Sequence, residues 1–463
     1  MNVLLLHAPS ARRSYVESFT LTEALNGIFL GPVLAGAHAL RLVDLRVTPD
    51  LRRELRGFAP EAVVVAVAPA SLPALDGLLA ALAALRPRPR VLLLPAAEYG
   101  NTRFRERPHE LQHPLADAAL PAIALASQRR TVPALLAAWA RGDDGAQVPG
   151  LRLRAGERWI ETAPAEDRIG DVGVPDRGLL GRARGRYRFL GMGGTAYVIF
   201  TYGCRFACRY CTASKGAGET FVRAVPDVVQ EIRQTTEPNV FLADLEPFQF
   251  PDAMERLAGA LEAAGVRRRF ALMTRADSVL QHAGLLARWR ALGLAWVYVG
   301  LDGHSDERLR EIRKGTSMAV NAAALARLRE LGLASAAAFV VPPGASRADL
   351  ADVRGAMLRL RPDLVDVTVE TPLVGTRLFD EQAQQLTSHD PSLLDLDHAV
   401  LPTALPRAEF YREMTRLHRL GWWLSTPGVL RHQPLRDVLH NALHGPAALW
   451  RVARAGRDHA AAG

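Results

Sequence analysis

The chain has 463 residues, 49% of them hydrophobic, enough to bury large cores in about two or three domains. Its net charge of +9 comes almost wholly from arginine, Lys215 and Lys314 being the only lysines, and no dense basic block with interleaved aromatics marks a nucleic-acid binder. No apolar run approaches the roughly 18 uncharged residues of a membrane-spanning helix; Met1 leads straight into a strand without a basic start or cleavage site, so a cytoplasmic protein is expected.

Residues 3–7, 40–45, 62–67 and 91–94 are apolar runs of strand length, separated by Ala/Leu-rich helical stretches such as 72–85. Continuous hydrophobic strands of this kind predict a parallel sheet covered on both faces. The expected domain is doubly wound, with any ligand at the carboxyl ends of its strands. From residue 147 to about 186 turn signals take over, beginning with a small hairpin at 148–158, and this stretch reads as a bridge between domains.

Residues 196–200 form another strand-like run, followed by Thr201-Tyr202-Gly203 and a loop that holds all three cysteines, Cys204, Cys208 and Cys211. The C-x3-C-x2-C spacing suits three thiolates at three corners of a 4Fe-4S cube. A missing fourth cysteine leaves one iron open to a small-molecule ligand. Two plainer readings stand beside this one: a structural zinc site, with His7 or His398 as fourth ligand, and chance clustering. For Tyr210, just before the third cysteine, the plain role is loop packing.

Beyond the cysteines, strands are expected at 240–243, 270–273, 296–300, 336–341 and 364–369, with helices at 225–233, 252–264, 283–292, 305–313, 320–331 and 347–359. With the strand before the cysteines, six strand and helix pairs predict a partial parallel barrel whose chemistry sits at the carboxyl strand ends. Site candidates there are Asp244 and Glu246, Arg275 with Asp277, Asp302, and Thr371. Capping or surface pairing is the ordinary alternative for each.

The cysteine loop and the strand before it resemble the radical S-adenosylmethionine (SAM) superfamily. The resemblance implies that SAM binds the open iron through its amino and carboxylate groups and is cleaved to a 5'-deoxyadenosyl radical, so that cluster and cofactor carry the hard chemistry. It also puts Tyr210 near the adenine. The carboxylate of SAM wants an arginine, for which Arg275 is the candidate, and its ribose a carboxylate or amide. Asp302 stands where the family typically has glutamate, and Lys314 and Asn321 fall in Arg-Lys-Gly-Thr-Ser-x-x-x-Asn, a segment common in these enzymes.

Residues 1–136 resemble, in architecture, the cobalamin-binding domains attached to radical enzymes, and the first strand ends in His7-Ala-Pro-Ser10. The chain has no D-x-H-x-x-G motif, and Pro95-Ala-Ala-Glu-Tyr-Gly100 stands where that family more often has a glycine pair. A degenerate domain that binds nothing is the alternative. Glu370-Thr-Pro-Leu-Val-Gly-Thr376 and the stretch from Asp395 to Tyr411 are similar to segments of hopanoid methylases, cobalamin-type radical enzymes that methylate a lipid ring.

Together these imply an α/β protein: an N-terminal doubly wound cobalamin-binding-like domain (1–145), a linker with a small hairpin (146–186), a partial (β/α)6 radical SAM barrel (187–385) and a helical C-terminal region (386–463). The implied activity is cobalamin-dependent radical methylation of an unactivated carbon in a lipid or natural-product scaffold, with a second SAM remethylating the cobalamin. The alternative is a cobalamin-independent rearrangement, oxidation or cyclisation; a third reading is an inactive or electron-transfer protein. Implied partners are a small-molecule substrate and a flavodoxin- or ferredoxin-like electron donor. Trp422, Trp423 and the basic stretch 439–457 suggest helices packed on the barrel, with a lid or peripheral membrane contact as a second reading.

Overall fold

The computed structural model describes residues 1–11, 14–95, 122–124, 128–155, 158–165, 173–212 and 220–458. The chain forms two compact units, Met1–Arg12 with Thr22–Arg186, and Arg13–Leu21 with Tyr187–Gly463.

In the first unit, β1 (Asn2–His7), β2 (Ala39–Asp44), β3 (Ala62–Val67), β4 (Arg90–Pro95) and β5 (Ala122–Ala124) pair in parallel in the order β2-β1-β3-β4-β5. Helices α1 (Leu25–Leu34), α2 (Leu72–Ala83) and α3 (Gln128–Ala140) supply the covering layers. Because side chains alternate across a strand, Val3, Leu5 and Val64 meet Leu30, Leu34, Val132 and Leu135 on one face. On the other, Leu4, Leu6, Val63 and Val65 meet Leu72, Leu75 and Leu82. Burial on both faces is why these strands read as unbroken apolar runs. The hairpin that reads as part of a bridge instead joins the sheet: β6 (Leu151–Ala155) pairs antiparallel with β5, and β7 (Arg158–Glu161) with β6. Leu151 and Leu153 draw it there by packing against the α3 side of the core. The strand order reverses between β1 and β3, so their carboxyl ends, near His7 to Ser10 and Ala68 to Ser71, form the crevice where ligands bind such sheets. Residues 96–100, from the glycine-poor segment after β4, lie outside the described residues.

The second unit is built on six parallel strands in sequential order: β8 (Thr195–Val198), β9 (Asn239–Leu242), β10 (Arg269–Arg275), β11 (Leu294–Asp302), β12 (Ala334–Val341) and β13 (Leu364–Val369). Helices α4 (Val225–Gln234), α5 (Pro251–Ala263), α6 (Ala283–Leu292), α7 (Met318–Glu330) and α8 (Arg347–Leu360) alternate with them, giving the expected partial (β/α)6 barrel. Its core joins Leu242, Phe270, Val299, Phe339 and Val367 to Leu257, Trp289, Leu328 and Met357 on the helices. Small residues on β12 let Tyr298 of β11 reach over it to Asp366 of β13, at 2.9 Å.

Two long helices, α9 (Arg407–His432) and α10 (Leu435–Asp458), close this unit. Only a glycine fits at position 445, because a Cβ there would lie 1.2 Å from the Trp422 ring. The short helix Tyr15–Phe19 also belongs to this unit: Ser14 caps it, the Tyr15 amide donates to Asp397, and Trp422 Nε1 donates to the Tyr15 hydroxyl at 3.2 Å. Among the described residues no helix is long and apolar enough to cross a membrane.

Candidate functional site

The cysteine loop leaves the barrel at the carboxyl end of β8, and neighbouring strand ends hold it in place. Gly203, in the left-handed region at φ +74°, turns the chain into the loop. Asp244, after β9, accepts hydrogen bonds from the Phe200 and Thr201 amides at 2.7 and 2.9 Å. Burial outweighs those bonds and pushes the Asp244 carboxyl up to about 7. Gln249 grips the loop itself: its Oε1 accepts from the Arg205 amide at 3.0 Å and its Nε2 donates to the Gly203 carbonyl at 2.8 Å. Further along, the Arg209 amide donates to Ile312 and its carbonyl accepts from Leu378, both at 2.9 Å.

Cys208 is buried, whereas Cys204 and Cys211 are partly exposed, on either side of it in the loop. Among the described residues no three His, Cys, Asp or Glu side chains converge on a single metal ion. A cube needs no such convergence, since each thiolate holds a different iron. A zinc ion does need it, and His398, one of the two proposed fourth ligands, is bonded through Nδ1 to Asp395 at 2.9 Å and through Nε2 to Asp458 at 3.4 Å. Three thiols on one braced loop therefore fit a three-cysteine iron–sulfur cluster.

Arg275 ends β10 beside this loop. Its Nη1 lies 4.0 Å from Cys208 Sγ, its Nη2 donates to the Lys314 carbonyl at 2.6 Å, its Nε donates to Asp277 at 2.9 Å, and its plane sits 3.9 Å over the Phe206 ring. Glu246, after β9, is almost fully buried and accepts from Thr274 Oγ1 and the Arg275 amide, both at 2.8 Å. Burial raises its carboxyl above the usual range despite those bonds.

At the end of β11, Asp302 takes a left-handed backbone, φ +60°, and forms a buried ion pair with Lys314. Gly300 makes room for it, since a Cβ there would come within 2.9 Å of Lys314 Nζ and 3.0 Å of Asp302 Oδ2. The Tyr210 hydroxyl also bonds Asp302, and burial with this carboxylate pushes the phenol far above its ordinary value. Asn321, at the start of α7, is fully buried and donates to the Leu301 carbonyl at 3.4 Å. A connected set thus runs from Cys208 through Arg275, Lys314 and Asp302 to Tyr210, with Glu246 under Arg275 and Asn321 beside Asp302. Asp244 braces the loop from the next strand. Thr371 is buried, and its hydroxyl donates to the Val369 carbonyl at 3.2 Å.

Sequence reasoning missed Gln249, Phe206 and the buried Arg308–Glu370 ion pair. Gln249 lies five residues after Asp244 in the loop after β9, so its position at a strand end was a usable signal.

Residues 198–356 match the Radical SAM superfamily. This part of the chain is a radical SAM domain. The chain is 31% identical over 299 residues to the hopanoid C-3 methylase of Methylococcus capsulatus, covering 63% of this chain and 57% of that protein. It is 27% identical over 302 residues to the anaerobic magnesium-protoporphyrin IX monomethyl ester cyclase of Cereibacter sphaeroides, covering 63% of this chain and 48% of the cyclase. The matches thus span about half the length of these curated relatives. In fold, the chain is similar to the radical SAM methyltransferase TsrM of Kitasatospora setae, solved with cobalamin and a 4Fe-4S cluster (TM-score 0.66, 15% identity, 100% of both chains). It is also similar to the cobalamin-dependent radical enzyme OxsB (TM-score 0.68, 12% identity, 98% of this chain and 72% of that one).

Proposed function

We propose that the protein is a cobalamin-dependent radical SAM enzyme that methylates an unactivated carbon of a lipid or natural-product scaffold. The observation that carries this reading is the braced three-cysteine loop at the carboxyl mouth of a six-stranded parallel barrel, with the Arg275 guanidinium against Cys208. The cluster with SAM supplies a radical able to take hydrogen from an unactivated carbon, and cobalamin supplies the methyl group.

The chain's own residues would hold and orient these groups. Cys204, Cys208 and Cys211 each bind one iron. Arg275, fixed from below by Glu246 and sideways by Asp277, keeps Nη1 on the cysteine side, where it can take the SAM carboxylate. Asp302, held by Lys314, fixes the Tyr210 ring in the cysteine loop for contact with the adenine. Asn321 holds the Leu301 carbonyl beside it, and Thr371 lies just after β13 at the same mouth. In the first unit the crevice lined by His7, Asn26, Ala66 and Leu94 has a volume of only ≈ 10 Å³. A corrin is therefore assigned to the open strand-end face near Ser10, which is partly exposed, and not to an internal cavity. The proposed setting is the cytoplasm, with a flavodoxin- or ferredoxin-like electron donor and peripheral contact with a membrane.

The second reading is a cobalamin-independent rearrangement, oxidation or cyclisation, and the name of the Cereibacter relative favours only the cyclisation as reaction type. Anaerobic purification with cobalamin available, followed by iron, sulfide and corrin analysis, separates the two. About four irons per chain are expected in either case, and retained corrin only in the first. Full activity in rigorously cobalamin-free protein overturns the methylation reading.

A further inference from the structure

Nine large apolar side chains are exposed among the described residues, and six of them stand on the last two helices: Trp423 and Leu430 on α9, and Leu435, Leu439, Leu443 and Trp450 on α10. All six are between 55% and 78% exposed. Leu435, Leu439 and Leu443 repeat every four residues, and Trp450 follows on the same side, so they form one stripe along α10. The helix does not need this stripe for packing. Its other side already contributes Ala448, Val452 and Ala455 to the core. Leu430 also lines an apolar cavity of ≈ 190 Å³ between α9 and α10, with Tyr15, Phe19, Trp422 and Val438.

The stripe's border is basic. Across α10 four arginines stand against two aspartates; Arg436 adjoins Leu435, and the Arg454 guanidinium lies 4.4 Å over the Trp450 ring. Exposed leucines, a tryptophan and flanking arginines suit the boundary between acyl chains and phosphate headgroups. A second copy of the chain suits it less, because a two-fold contact would bring two such arginine borders together.

We infer that the outer faces of α9 and α10 dock the protein on an anionic lipid bilayer, with Leu435, Leu439, Leu443 and Trp450 entering the interface. This rests on the membrane contact proposed above but not on methyl transfer. The test is co-sedimentation of the reconstituted full chain with vesicles of phosphatidylglycerol and phosphatidylcholine, and with vesicles of phosphatidylcholine alone. Native protein should bind the anionic vesicles, less so at high salt. The pair Leu439→Glu with Leu443→Glu, and separately Arg436→Glu with Arg454→Glu, should each weaken binding at least about tenfold. Iron content and 5'-deoxyadenosine formation should stay unchanged, so a failure of the radical reading would appear separately. Absence of native binding, or native-level binding by either paired variant, overturns the inference. So does self-association abolished by the leucine pair in protein that ignores vesicles, which would make a second copy the occupant.

Discussion

Lys314 and Asp302 form an ion pair in which both side chains are buried, one in the loop before α7 and the other at the end of β11. Burial disfavours the ammonium, but the Asp302 carboxylate outweighs it and holds the lysine proton more tightly than usual. Asp302→Asn would strand a buried charge, at a cost of about 3–5 kcal/mol in denaturant unfolding. Adding Lys314→Met should recover much of that loss, a coupling that a double-mutant cycle reads directly. Because the lysine pKa is raised on folding, the pair's contribution should be complete below the unfolded value and fade only as pH rises through the folded one. Independent, additive costs for the two substitutions would contradict the pairing.

Asp244 also loses stability as pH rises, but because burial penalises its charged form. Its carboxyl rises from 3.8 to about 7 through burial, against the bonds from Thr201 and Phe200. The folded protein therefore binds this proton more tightly than the unfolded chain, and stability from this group falls as pH rises from about 4 to 7, then levels. Asp244→Asn keeps an oxygen for both amides and removes the titration. It should gain on the native protein across that window in thermal melts. Asp244→Ala leaves two buried N–H donors unmet and should cost about 1–3 kcal/mol for each. Parallel pH profiles for native and Asn proteins would rule out the shifted carboxyl.

The three cysteines should each be indispensable to the cluster, so Cys204→Ala, Cys208→Ala and Cys211→Ala should all fail to retain about four irons after anaerobic reconstitution. Gln249→Ala should act more subtly. It frees the Arg205 amide and the Gly203 carbonyl, loosening the loop without removing a ligand. Slower cluster uptake and an altered spectrum of the reduced cluster are expected, with Gln249→Glu restoring only the acceptor side. A triple alanine variant with full iron content would remove the basis for the cluster.

Much of this arrangement is visible in the sequence because local pattern and burial agree there. Both units announce their parallel strands as apolar runs, since sheets covered on both faces leave no polar alternation. The cysteine spacing and the polar residues after each strand need only chain order to be placed at one mouth. What stays hidden depends on distant parts of the chain. Asp302 and Lys314 meet only after the intervening loop returns, and nothing in residues 14–21 signals that Tyr15 bonds Asp397 in the second unit. The hairpin 151–161 is legible as a hairpin, yet its place at the edge of β5 depends on Leu151 and Leu153 finding the α3 side of the core. On α10 the amphipathic pattern is plain, but which of its apolar sides faces inward is decided by α9, at the Trp422 and Gly445 contact.

If Arg275 binds the carboxylate of SAM, Arg275→Ala should weaken SAM binding by about 1.5–3 kcal/mol. Arg275→Lys should rescue little, because Asp277 and the Lys314 carbonyl hold a planar fork that an ammonium cannot mimic. Equilibrium binding to cluster-loaded protein, with iron content as control, is the measurement. Native affinity in the alanine variant would withdraw Arg275 from the cofactor site and leave the cluster argument standing.

In the first unit a corrin would be held by the strand ends and not by a ligand motif. Ser10 is partly exposed beyond β1, at the point where strand order reverses, so Ser10→Trp should obstruct a corrin lying there without disturbing the core. Ser71, although near the same crevice, is buried against the Ala8 carbonyl, and a tryptophan there would test folding, not binding. Protein carrying Ser10→Trp should retain less corrin by absorbance after purification with cobalamin, yet keep its full iron content, since the cysteines sit in the other unit. Methyl transfer should fall in step with corrin, while 5'-deoxyadenosine formation persists. Undiminished corrin in that variant would move the cobalamin site away from the β1 end, and methyl transfer without corrin would favour the cobalamin-independent chemistry.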